Sequence, residues 1–124
     1  MTPRTVNVIA WFGVLGGFTA WAVQFVANLA FTFAQCNQPI MRWHLPIHDW
    51  EIGLGSAGIA IGLAAEAAAM WTFLQTRGVD DAAAPPPGRL RFLAVVGLTV
   101  NFMALAIMTL TTIGIPLQQV CRQS

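Results

Sequence analysis

The chain of 124 residues contains no lysine and has little charge of any kind. Arginine, aspartate and glutamate together make up 9% of it, where a soluble domain carries roughly a quarter. That scarcity excludes an ordinary soluble domain. Six basic and five acidic residues leave a net charge of +1, and no basic patch forms, which excludes a nucleic-acid partner. There is no Ser/His/Asp set, no phosphate-binding loop and no metalloprotease motif, so no enzymatic chemistry is expected. No Cys-x-x-Cys, methionine cluster or haem attachment motif is present, and no resident cofactor is expected. No internal repeat marks a stand-alone transporter.

What is abundant is apolar surface, at 56% of the residues. It falls into three runs, about 6–33, 52–74 and 90–113. Each is long enough to cross a bilayer, which takes roughly 20 apolar residues. The expected fold is an all-α membrane protein, a single three-helix transmembrane bundle. The first run exceeds the roughly 7–15 residues of a signal-peptide core, so it is expected to be retained as a helix. Arginine as the only cation, with abundant alanine and glycine, suggests a GC-rich bacterial source.

The connections separate by composition. Residues 34–51 are broken by Pro39 and Pro46 and carry Trp43 and Trp50, which suit a loop on the membrane surface. Residues 75–89 are polar, and Pro85, Pro86 and Pro87 suggest a stiff extended spacer. Three crossings put the termini on opposite sides. Arg4, Arg77, Arg89 and Arg91 share one side and Arg42 and Arg122 the other. The excess of arginine predicts a cytoplasmic N-terminus and a periplasmic C-terminus.

This orientation puts Cys36 and Cys121 on the same outer, oxidising face. Two cysteines so placed read as a disulfide joining the first run to the third. In the chain-entropy model such a long loop contributes on the order of 4 kcal/mol. The alternative is two thiols too far apart to join.

The polar residues inside the runs are few. Gly13, Gly17, Ala20, Gln24 and Asn28 share one stripe of the first helix. Gly55, Gly58, Gly62, Glu66 and Ala69 share one on the second. Gly97, Asn101, Ala104 and Met108 share one on the third. Small residues at these spacings let helices approach closely. Counted from the inner ends, Glu66 lies at a depth of roughly 12 Å and Asn101 of roughly 16 Å. A Glu66–Asn101 hydrogen bond follows, with Gln24 and Asn28 nearer the outer side. A carboxyl in a membrane helix serves either a proton relay or helix packing. A relay needs polar groups reaching both surfaces, so packing is the preferred reading. His44 and His48, with Asp49 and Glu51 beside them, are weak candidates for a surface zinc or copper site, since Pro46 interrupts their helical spacing. A place in an interfacial loop, or contacts to a partner protein, explains them better.

The opening WFGVLGGFTAWAVQFVANLAF, followed by Cys36, resembles a group of small bacterial three-helix membrane proteins. Their pattern is a Trp, a Gly-Gly or Gly-Pro, then Ala-Trp-Ala and an Asn or Ser before an outer cysteine. RFLAVVGLTVNFMALAIMTL, with Pro116 and Cys121 after it, is similar to their closing segment. Phe18 stands where those proteins carry proline. Genes of that group lie beside those of haem–copper cytochrome c oxidases. The resemblance implies an accessory, non-catalytic subunit of a bacterial respiratory terminal oxidase in the inner membrane. Its partners would be the oxidase core, other integral membrane subunits and lipids. No catalytic residue carries over. An assembly factor, a subunit of another respiratory or photosynthetic complex, and an oligomeric small channel are the alternatives.

Overall fold

The computed structural model describes residues 2–36, 46–80, 82–118 and 121. Three helices account for most of them: α1 Pro3–Cys36, α2 Ile47–Gln75 and α3 Pro87–Gly114. A single 3-10 turn, Ile115–Leu117, follows. No strand occurs among the described residues. All three helices are long and apolar enough to cross a membrane. With 34, 29 and 28 residues, each outruns the ~30 Å hydrocarbon core at about 1.5 Å per residue.

The helices run up, down and up, and each packs on both others. Each extends beyond the run expected from its apolar residues. The largest extension is at α2, which begins at Ile47, directly after Pro46. Pro46 precedes the helix without entering it, and Asp49 in the first turn complements the positive helix end. His48, Asp49, Trp50 and Glu51 therefore stand on the first turns of α2, where the composition had suggested a surface loop. The proline run differs as well. Pro87 is the first residue of α3 and Pro86, with helical angles, is its cap, while Pro85 lies in a turn, so the proline run leads into a helix and does not form an extended spacer. Proline suits that first position because its missing N–H has no acceptor there.

The core is a seam of small residues. Ala10, Gly13 and Gly17 come from α1, Gly58, Gly62, Ala65 and Ala69 from α2, and Ala94, Gly97 and Ala104 from α3. The helices approach so closely that a Cβ added at Gly97 would lie 2.7 Å from the Gly13 carbonyl oxygen, and one at Gly13 would lie 2.9 Å from the Ala69 nitrogen. Such contact replaces the hydrophobic driving force that lipid removes between helices. The large side chains point the other way. Phe12, Phe25 and Phe33 on α1, and Phe92, Phe102 and Leu110 on α3, are exposed.

At one end, Arg89 donates to Asn7 Oδ1 at 3.0 Å and Arg91 to the Thr76 carbonyl at 3.0 Å. Arg91 also covers the Phe73 ring at 5.2 Å. At the other end, Cys36 and Cys121 are paired in a disulfide, their Cα atoms 5.2 Å apart. Phe31 stacks on Trp50 nearby.

Candidate functional site

Hydroxyl groups in the helices satisfy themselves. Thr32, Ser56, Thr72, Thr99 and Thr112 each donate to a carbonyl four residues earlier, at 2.7–3.1 Å. This is the usual way for serine and threonine to remain inside an apolar helix. Amide and carboxyl side chains cannot do the same, and they collect in two tiers.

The inner tier joins all three helices. Asn101 of α3 is wholly buried and donates from Nδ2 to the Gly13 carbonyl of α1 at 2.6 Å. Its side chain lies where a Cβ on Gly17 would be. The Glu66 carboxyl of α2 comes within interaction range of the same side chain. Asn101 thus bonds the α1 backbone and also interacts with the Glu66 side chain, the partner that the depth argument had given it. Glu66 Oε2 and Asn101 Oδ1 have no hydrogen-bond partner among the described residues. Glu66 also sits one position off the seam. Besides Ile47 at its start, the buried residues of α2 are Gly55, Gly58, Gly62, Ala65, Ala69 and Thr72, spaced three, four, three, four and three. Ala65 is 0% exposed, whereas Glu66 is half-buried at its edge.

The outer tier lies toward the disulfide. Gln24 of α1, 4% exposed, reaches Thr112 Oγ1 of α3 with Nε2 at 3.5 Å. Its Oε1 faces Gly58 of α2, where an added Cβ would stand 3.2 Å away. Gln24 Oε1 and Asn28 Oδ1 have no hydrogen-bond partner among the described residues. Met108 is 0% exposed and packs beside Gly58 and Gly62, with Leu105 against the same Gly62. These apolar side chains stand between the two tiers.

Two openings flank α1. A groove of about 650 Å³ runs between α1 and α2, lined by Val8, Trp11, Leu15, Val23, Leu54 and Ile61 among others. A smaller cleft of about 230 Å³ opens beside α3 at the disulfide end, where Gln24, Asn28 and Glu51 meet Trp21, Phe25 and Thr111. The role of Glu51 in that cleft is invisible in the sequence, because its neighbours come from the other two helices.

Of the histidine pair, His48 stands on α2 three residues before Glu51, close enough for their charges to interact. His48 Nε2 is buried with no hydrogen-bond partner among the described residues. His44 lies outside the described residues, as do Arg42, Trp43 and Arg122. Among the described residues, no three His, Cys, Asp or Glu side chains come together as a metal site.

The fold and sites define a three-helix protein of membrane-spanning character with a glycine–alanine seam. No protein-family model, curated protein or solved structure matches the chain.

Proposed function

We propose that the chain is a non-catalytic integral membrane subunit that works by packing against other membrane subunits, the partner being the core of a bacterial haem–copper terminal oxidase. The observation that carries the packing role is the division of its surfaces. The three helices satisfy one another through small residues, and the aromatic side chains of α1 and α3 are left facing outward. Aromatic anchors of that kind are what a membrane interface uses. The choice of partner rests on the resemblance of the first and third helices to small proteins encoded beside oxidase genes. The arginine-rich end belongs in the cytoplasm and the Cys36–Cys121 end in the periplasm, in agreement with the arginine bias and with an oxidising compartment.

The test is purification of the tagged chain from gently solubilised native membranes, followed by an absorption spectrum. Haem a and oxidase core subunits should co-purify. Their absence would sink this reading. Ion flux through liposomes holding the pure chain would favour an oligomeric channel instead.

A further inference from the structure

We propose that the cleft beside Gln24, Asn28 and Glu51 holds the ethanolamine headgroup of a phospholipid, with its ammonium group inside. The polar atoms offered there accept hydrogen bonds. Gln24 Oε1 and Asn28 Oδ1 are buried without a partner among the described residues, and Glu51 adds a carboxyl group. Gln24 is 4% exposed and lines the cleft together with Asn28 and Glu51. Acceptors without donors in an apolar medium call for a ligand that brings donors.

Charge points the same way. The C-termini of α1 and α3 lie at this end, and each carries a partial negative charge. Neither has a basic residue in its last turn. One helix N-terminus, that of α2, opposes them. Glu51 increases the negative character, and His48 on the same helix is the described titratable group beside it. Trp21 and Phe25 offer ring faces, which attract an ammonium ion.

Size limits the ligand. At about 230 Å³ the cleft is smaller than the roughly 300–1,000 Å³ of drug-sized pockets, and it suits a headgroup rather than a whole lipid. The acyl chains would remain in the bilayer along the exposed side chains of α1 and α3. Of the common zwitterionic headgroups, ethanolamine has three N–H donors and choline has none, so the site should distinguish two lipids of equal charge.

The experiment uses the full chain, delipidated in detergent and supplied with equal phosphatidylethanolamine and phosphatidylcholine of identical acyl chains. Retained lipid is counted by native mass spectrometry. Ethanolamine lipid should be retained over choline lipid, and Glu51→Gln should reduce that preference on the order of tenfold, as for loss of a charged hydrogen bond. Asn28→Ala provides a second, uncharged variant that should lower retention as well. Helix content and melting, followed by circular dichroism, identify a variant that has lost its fold. Val8→Ala, in the other groove, should leave the preference unchanged. Equal retention of the two lipids by the unaltered chain overturns the proposal. A preference that survives in both folded cleft variants also overturns it.

Discussion

Asn101 reaches across the bundle from α3 to the carbonyl of Gly13 on α1, and it does so through the space left by the missing side chain of Gly17. One glycine supplies the acceptor and the other the room. This link depends on both residues together.

Asn101→Ala should therefore lower stability by about 1 kcal/mol, the net value of a typical buried hydrogen bond. Gly17→Val should cost more, because the new side chain must displace Asn101 from its acceptor. Thermal unfolding in mild detergent, followed by circular dichroism, orders the two. A Gly17→Val protein as stable as the unaltered chain would show that the contact is slack.

Glu66→Gln should change little. The residue is half-buried beside the seam, and a membrane side-chain hydrogen bond is worth on average about 0.6 kcal/mol. Assembly into any complex should be retained, and proton-coupled activity of that complex should stay near its normal rate. A large loss of proton-coupled activity in an assembled complex would make Glu66 a relay group.

The disulfide should protect both cysteines from maleimide until a reductant is added. With Cys36→Ser, the remaining Cys121 should react with a membrane-impermeant maleimide on intact spheroplasts, which reports its side of the membrane. Labelling only after lysis would reverse the orientation. Loss of the bridge should lower the melting temperature, and its effect should fall below the ~4 kcal/mol of the chain-entropy model, because inserted helices are already constrained.

Replacing His44 and His48 together by alanine separates two roles. A permanent subunit should still co-purify with its partner at normal yield and normal metal content. An assembly factor that handles copper or haem would leave the partner short of its metal.

Much of the bundle could be read from spacing. Stripes of small residues at three and four positions identify Gly13, Gly17, Gly58, Gly62, Gly97 and Asn101, because a helix buries one face and lipid leaves no other reason for so much glycine. The spacing was less able to separate Glu66 from Ala65. Adjacent positions differ by 100° on a helix, and a stripe of that width admits either until the crossing geometry selects one. The start of α2 was obscured by composition: His48, Asp49, Trp50 and Glu51 are polar enough to suggest a loop, yet Pro46 and the first-turn Asp49 make them the opening of the helix. The cleft at Glu51 was beyond reach for another reason. It gathers side chains from three helices, and their proximity is a property of packing that no single periodicity contains.

The bridge between Cys36 and Cys121 spans 85 positions of the chain, and its second partner follows the last helix. It can close only after α3 has been synthesised and brought beside α1. Oxidation of this pair therefore records that α3 has taken its place beside α1: a chain arrested before Cys121 keeps a free Cys36.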